Sequence, residues 1–448
     1  MTMISIYVGS GLIYDHFRSY YLFLFLCLPF LVPSFLAQMK WAFKSEFARI
    51  RFLVTMPILL LFWYALSLSW ADETNTALIY IFYISGGLSI SAAVMAASKT
   101  ELELRHVFTA LLVGLSANII ISILETTGHF RWIISRYSPY NSLFKLDPKF
   151  AVYLKTLQER QLTCPVEYDY LTSNPAGFFW GPNQLAFALV VSLPFTLLLV
   201  KNRVLSTILG LAHIYLLFMA GSRAALVGAL IATLVISLTA FRFSKFASIL
   251  STTLCAIIIC LPFAPLESLG VNPYRANKIA SLAGGVSDFK RHCLSSDASD
   301  NSADYDREDG SVTTRKLLIQ KAWADFKTQP LIGVGAGNSW QTGGVLFGKT
   351  HIHNFWLEIL FEAGVIIAFL LILWALNIFG FLINALRNSK DLFTNTCSTA
   401  IIAAWLGGIP AAVAVGTIAH QPSLWLLLGV TLAFILIQSR NPNKTRAK

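Results

Sequence analysis

The sequence predicts an all-α polytopic membrane protein with 11–12 transmembrane helices and a large outer loop before the ninth. Three observations predict it. Apolar residues make up 56% of the 448 and charged residues only 13%, where a soluble chain carries about 25% charged. The apolar residues, with 33 Phe among them, arrive in runs of the roughly 20 residues that a helix needs to cross a bilayer. A transmembrane barrel would instead show alternating segments of ~10 residues. Lys and Arg near the ends of those runs are strongly one-sided. The same composition excludes a disordered chain, a collagen-like fibre, a disulfide-stapled mini-protein and an ordinary cytosolic enzyme.

Eleven runs are long enough to span: 20–38, 52–70, 77–97, 107–124, 176–200, 204–220, 224–241, 246–265, 355–386, 396–416 and 423–438. The stretch 3–14 is apolar but short, and reads as a twelfth span, a half-helix or an interfacial segment. It lacks the basic start and small-residue cleavage site of a signal peptide. The connections at 40–51, 99–105, 201–203, 242–245, 387–390 and 440–448 carry sixteen Lys and Arg, whereas those at 71–76, 221–223 and 417–422 carry one, Arg223. Basic residues stay on the cytoplasmic side, so the first set and the C-terminus are inside. Most of the net charge of +11 lies on that face, and binding of nucleic acid is not needed to explain it. In linear terms the chain reads as an N-terminal bundle, 1–265, with an outer loop at 125–175. A large outer loop, 266–353, and a C-terminal set of helices, 354–448, follow.

The large loop holds an acidic, Ser-rich stretch at 295–310. Its carboxylates miss the calcium-loop pattern, because Gly310 falls one position late after Asp304, Asp306 and Glu308, so the stretch reads as a solvated insertion. At 314–326, Leu317, Leu318, Ala322, Trp323 and Phe326 fall at helical spacing and predict an amphipathic helix at the membrane surface. Pro330 ends it, and Gly333, Gly335 and Gly337 make a flexible turn. Cys27, Cys255, Cys260 and Cys397 lie in or beside spans. Cys164 and Cys293 are the two in the outer loops, where an oxidising compartment would allow them either to pair or to stay free.

The span interiors are nearly free of charge. His213 sits mid-span, where an interior histidine is usually hydrogen-bonded. Glu358 and Glu362 lie one turn apart on one face of the ninth span, either as an acid pair in a cavity or as acceptors for neighbouring helices. Polar residues collect instead where inward-running helices begin: Gly181-Pro182-Asn183, Ser222-Arg223 and His353-Asn354. Ser222 and Asn354 stand at N-cap positions. Each helix start offers free N–H groups and partial positive charge. With Arg223 and Arg315 they would make an anion site suited to a diphosphate. The alternative is ordinary capping, with an arginine reaching to lipid headgroups.

Two patterns point elsewhere and are set aside. Residues 343–350 fit the P-loop letters, but no strand run precedes them in 337–343. The glycines and Lys349 can still line a phosphate site. His351 and His353 form a His-x-His pair, yet no Cys or third His stands near in sequence to complete a zinc site.

Taken in order, four motifs resemble the O-antigen ligase and O-antigen polymerase superfamily. They are Gly177-Phe-Phe-Trp-Gly-Pro182-Asn183; Gly221-Ser222-Arg223-Ala224-Ala225; Arg315 followed by Pro330-Leu-Ile-Gly333-Val-Gly335; and His351-Ile-His353-Asn354 with Leu357, Glu362 and Gly364. Together they cover about half the chain. The ligase pattern ends in a small residue or Tyr where this chain has Ile367, a departure that leans toward polymerase.

The resemblance implies an inverting, metal-independent and cofactor-free glycosyl transfer at the periplasmic face of the bacterial inner membrane. The donor would be an undecaprenyl-diphosphate-linked glycan, and the acceptor the lipid A core or another lipid-linked glycan. His353, Arg223 and Arg315 would be catalytic; Asn183, Ser222, Lys349, Asn354 and Glu362 would contact substrate. Besides these substrates the expected partners are membrane lipids, with no nucleic acid. Ligation to lipid A core ranks first and polymerisation second. Protein O-glycosylation ranks third, since no soluble domain follows Gln438. A lipid-linked glycan transporter would show repeated halves and mid-membrane ionisable residues, and neither is visible.

The charge asymmetry makes a topological prediction. With Cys164 and Cys293 replaced by Ser, a Ser302→Cys variant should react with an impermeant thiol reagent in intact spheroplasts. Labelling that appears only after lysis overturns the outside assignment of 266–353.

Overall fold

A computed structural model describes residues 12–14, 17–44, 48–128, 130, 132, 173–179, 181–268, 270–280, 282, 310–339, 352, 354–415 and 421–440. Within them the fold is helical apart from one hairpin, in which Leu12–Tyr14 pairs antiparallel with Phe17–Arg18. The N-terminal apolar stretch therefore does not run as a helix through Tyr14, and residues 1–11 lie outside the described set.

The helices are α1 (Ser19–Lys44), α2 (Ala48–Leu66), α3 (Thr74–Ala97), α4 (Glu101–Glu125), α5 (Pro182–Leu199), α6 (Arg203–Ala220) and α7 (Arg223–Ala240). They continue as α8 (Lys245–Cys260), α9 (Pro273–Ala280), α10 (Gly310–Phe326), α11 (Phe355–Asn388), α12 (Leu392–Ala411) and α13 (Pro422–Arg440). Among the described residues ten helices are long and apolar enough to cross a membrane, and α1 covers the remaining expected run, 20–38. The protein is a multi-pass membrane protein. The helix edges follow local capping chemistry. Asn202 and Ser244 accept the N–H groups of Leu205 and Ala247 at the starts of α6 and α8, and Pro182 occupies the first turn of α5, where a missing N–H costs nothing.

The chain divides into two compact units, each assembled from three segments. The first comprises 1–28, 105–297 and 390–411; the second comprises 29–104, 298–389 and 412–448. In the first, α7 packs against α12, α8 and α5, and α5 packs against α12 and α6. Small residues make this possible. A Cβ on Gly228 would lie 2.3 Å from the carbonyl oxygen of Gly407, and one on Gly407 would lie 2.7 Å from that of Gly228, so two backbones touch with no side chain between them. His213 is fully buried on α6, its ring nitrogens 3.1 Å from Ser192 Oγ and 2.7 Å from the Leu209 carbonyl. Its polar atoms are satisfied within the bundle, as expected for a structural histidine.

In the second unit α13 lies along α3, and is buried over almost its whole length. The Trp425 indole fills the space above Gly87, the Ser91 hydroxyl donates to the Trp425 carbonyl at 2.7 Å, and Gly429 seats against Ser91 and Val94. Helix α11 packs on α2, where the Trp374 indole N–H donates to the Leu53 carbonyl at 2.9 Å. Helix α10 packs on α11 through its buried face, Leu318, Ala322 and Phe326, while Leu317 and Trp323 stay exposed.

The backbone contact between α7 and α12 has a measurable cost. Gly228→Ala must push the helices apart and should destabilise by about 1–3 kcal/mol. Gly408→Ala, whose new Cβ would sit 3.7 Å from Phe187 Cε2 in ordinary contact, should change little. Thermal unfolding in detergent checks both; equal effects would show that the helix contact is not tight.

Candidate functional site

In the first unit the Gly177–Asn183 motif is a turn locked onto the end of α4. Glu125, the last residue of α4 and fully buried, accepts the N–H groups of Ala176 at 2.7 Å and Gly177 at 2.6 Å on Oε2, and that of Trp132 at 3.1 Å on Oε1. Asn118 accepts the Phe178 N–H at 2.8 Å. Gly177 has φ +55, and a Cβ there would meet Asn118 Oδ1 at 2.3 Å and Ser122 Oγ at 2.4 Å, so only glycine fits. This turn delays α5 to Pro182, six residues after the hydropathy edge at Ala176, and leaves Asn183 half-buried in its first turn.

Two residues separate the end of α6 at Ala220 from the start of α7: Gly221, in the left-handed region at φ 62, and Ser222. Ser222 takes the N-cap backbone position but makes no capping bond, and its buried hydroxyl has no hydrogen-bond partner. Arg223 follows, half-buried, as the first helical residue. Helices α5 and α7 both touch α12 near Val190 and Gly228. At 1.5 Å per residue, their starts rise roughly 12 Å and 8 Å above that contact. Asn183, Ser222 and Arg223 thus stand at the N-terminal ends of packed helices, where partial positive charge collects.

The second unit holds a broken helix. Gly364 has φ 79 and ψ 173 within α11, a conformation open essentially to glycine alone. The Pro330–Gly335 segment crosses the break. Val334 N–H donates to the Phe361 carbonyl at 2.8 Å and Gly335 N–H to that of Glu362 at 3.1 Å; in return Val365 N–H reaches the Pro330 carbonyl at 3.0 Å and Ile366 N–H that of Leu331 at 3.4 Å. Gly333, at φ +76, faces Gly364; a Cβ on the first would meet the Glu362 carbonyl oxygen at 2.4 Å, and one on the second the Leu331 carbonyl oxygen at 2.3 Å. The segment is also tied to the α2–α3 connection, through Trp70 Nε1 to the Gly333 carbonyl at 3.1 Å and the Ala336 N–H to Ser67 Oγ at 3.0 Å.

Asn354 caps α11, its Oδ1 accepting the Leu357 N–H at 3.3 Å. Both acids that follow are fully buried and serve as acceptors. Tyr80, stacked on Tyr64 with centroids 5.6 Å apart, donates to Glu358 Oε1. Ser339 Oγ donates to Glu362 Oε1 at 2.5 Å. Glu362, expected to touch substrate, thus has a protein partner on Oε1, while its buried Oε2 has no hydrogen-bond partner.

Helix α10 carries Arg315, one turn before Leu318 on the register that continues through Ala322 and Phe326. That register is the one facing α11, and Ile352, the neighbour of His353 in sequence, is buried in the same cluster. The unit thus packs Ile352 against the Leu318, Ala322 and Phe326 face of α10. His353, Lys349 and His351 lie outside the described residues, as do Cys164, Cys293, the P-loop letters and nearly all of the acidic stretch. Among the described residues no three His, Cys, Asp or Glu gather as a metal site.

Sequence reasoning missed Glu125, whose position at the end of a span was the available signal. It also missed Arg275 on α9, nearly fully buried and donating from Nη2 to Ser173 Oγ at 3.2 Å. Only its place in a long connection marked it.

Fold and site together define a polytopic membrane protein with polar helix starts and a glycine-lined break. Residues 205–373 match the family model Wzy_C, O-antigen ligase, a family that covers both ligases and polymerases. The activity of that family is membrane glycan transfer. The matched stretch contains Ser222, Arg223, Arg315, Lys349, His353, Asn354 and Glu362, and leaves Asn183 outside it. No curated protein matches the chain.

The crossing at Gly364 predicts a strong glycine requirement. Gly364→Ala combines backbone strain of about 1–3 kcal/mol with a clash against backbone, and should sharply lower the thermal midpoint in detergent. Gly128→Ala, at φ +75 with nothing within 4 Å, carries strain alone and should cost less. Equal losses would remove the crowding argument.

Proposed function

We propose that this protein transfers an undecaprenyl-diphosphate-linked glycan, with inversion, to an acceptor hydroxyl at the periplasmic face of the bacterial inner membrane, ligating O-antigen to the lipid A core. The observation that carries this reading is the start of α7. There a helix N-terminus, a buried hydroxyl with no partner and an arginine stand side by side within the stretch matched to the O-antigen ligase family.

The chemistry assigns each residue a task. The acceptor oxygen attacks the anomeric carbon from the side opposite the diphosphate. The new C–O bond forms as the bond to phosphate breaks, and the electron pair leaves on the diphosphate. Arg223 and Arg315 hold that group and stabilise its growing charge, while Ser222, Asn183 and Lys349 add hydrogen bonds to the donor. Two guanidinium groups supply the positive charge that a metal would otherwise bring, and diphosphate leaves without a strong general acid. Neutral His353 takes the acceptor proton, a role its side chain fills near pH 7. Asn354 fixes the helix start beside it.

One observation favours a second reading. Ile367, buried on α11, stands where the ligase pattern has a small residue or Tyr, which favours polymerisation onto another lipid-linked repeat. A deletion strain separates the two. Lipid A without long chains, with lipid-linked polymer still present, indicates ligase; a single repeat left on the core indicates polymerase.

The chemical test uses purified protein with defined lipid-linked donor and acceptor. His353→Ala should lose 10²–10⁴-fold in rate, about what a general base contributes, with donor binding retained. Arg223→Ala should weaken donor binding as well as turnover, and Arg223→Lys should recover only part, because an ammonium lacks the bidentate fork. Near-normal turnover by His353→Ala removes the base role, and loss of wild-type activity in EDTA removes the metal-free scheme.

A further inference from the structure

Gly364 divides α11 into two pieces, and the first piece, 355–363, follows directly on His353 and Asn354. Continuity of helical hydrogen bonding normally fixes the direction of a helix's first turns. Here continuity is lost, and the direction of 355–363 is fixed by what bridges the break. The bridge is the segment 330–339, which also continues the chain from α10 and so from Arg315. Any slack in it would let the His353 and Arg315 ends of this unit drift apart.

Glu362 is the side chain that holds the bridge down. It stands two residues before the break, fully buried. Its Oε1 accepts from Ser339 Oγ at 2.5 Å, and the backbone N–H groups of Gly337 and Ser339 and the Tyr64 hydroxyl lie close to the carboxyl group. Its own backbone carbonyl takes the Gly335 N–H. One residue thus grips the far end of the bridge with its side chain and the near end with its backbone. Ser339 is buried too, and Asn338 closes the turn by donating to the Val334 carbonyl at 2.5 Å. Charge-assisted bonds to a buried carboxylate are the strong kind, which suits a group whose task is to prevent movement.

We propose that Glu362 is a positioning residue of the transfer reaction: through Ser339 and the 333–339 turn it sets the helix start carrying His353 against α10 carrying Arg315, without touching substrate. The inference rests on the glycosyl-transfer reading above and reassigns Glu362 within it.

The test compares wild type, Glu362→Ala, Glu362→Gln and Ser339→Ala in the same transfer assay, alongside hydrogen exchange of the 333–339 amides. Misplacing reacting groups by about 1 Å costs about 10²-fold. Glu362→Ala should therefore lose about that much in kcat, with donor and acceptor KM within about threefold of wild type, and with faster exchange across 333–339. Glu362→Gln keeps an acceptor oxygen for Ser339 and should recover to within about tenfold of wild type, the difference between a charge-assisted and a neutral hydrogen bond. Ser339→Ala, the milder change, should lower kcat a few-fold and quicken exchange in the same amides. A raised KM with kcat unchanged would make Glu362 a substrate contact and overturn the proposal. So would a loss of kcat with exchange unaltered, a Glu362→Gln as impaired as Glu362→Ala, or near-normal turnover by Glu362→Ala. An inactive wild type overturns the transfer reading and this role with it, whereas an active wild type with any of the contrary variant results overturns this role alone.

Discussion

The second unit depends on an exchange of backbone hydrogen bonds between 330–335 and 361–366. A broken helix inside an apolar bundle exposes N–H and C=O groups that water cannot reach, at several kcal/mol each. Four inter-segment bonds answer that cost. The two chains approach closely enough for those bonds because Gly333 and Gly364 oppose each other with no Cβ between them. Most of the other contacts in this part of the unit support that crossing. The Trp70 indole and the Ser67 hydroxyl hold the bridge from the α2–α3 side, Glu362 holds it from within, and the aromatic set Trp323, Phe326 and Phe361 packs α10 beside it, with centroids 5.3–5.9 Å apart.

The first unit solves a related problem with different parts. Its polar residues stand at helix starts whose positions are set by close glycine contacts, Gly228 on the Gly407 backbone and Gly177 on the Asn118 side chain. A buried carboxylate again anchors a turn by taking consecutive N–H groups, here Glu125 with Ala176 and Gly177. In both units a buried acid on a span organises main chain.

How much of this was legible in the sequence follows from how local each signal is. Hydropathy runs and the positions of Lys and Arg are properties of consecutive residues, and they placed the spans within a few residues of the observed helices. The Asn354 cap is equally local and appears as expected, whereas of the apolar set on α10 only Leu318, Ala322 and Phe326 are buried. Ser222 shows where local reasoning stops: its type and position suit a cap, yet its hydroxyl makes no capping bond. The start of α5 was misplaced because Ala176–Phe179 is apolar but is held as a turn by Glu125, some 50 residues earlier. Gly333, Gly335 and Gly364 were visible as motif letters, and the reason for them was not, because the reason is a contact between segments roughly 30 residues apart. The partner of Glu362 was out of reach for the same cause, since nothing in its neighbourhood in sequence announces Ser339.

The interleaving of the two units bears on how the protein is made. Membrane proteins emerge and insert span by span from the N-terminus, and domains usually fold as they appear. Here the first unit draws its bulk from 105–297 but is completed by α12 at 390–411, and the second begins at 29–104 and is completed by 298–389 and 412–448. Neither can close while the ribosome is still translating the last two spans. Until then α7 and α5 present to lipid the bare surface that α12 will cover, and α3 lacks the helix whose Trp425 fills the space over Gly87. Biogenesis of this chain therefore includes an interval in which most spans are inserted but neither unit is complete. The late arrival of α12 and α13, more than the insertion of any single span, sets when the native bundle appears.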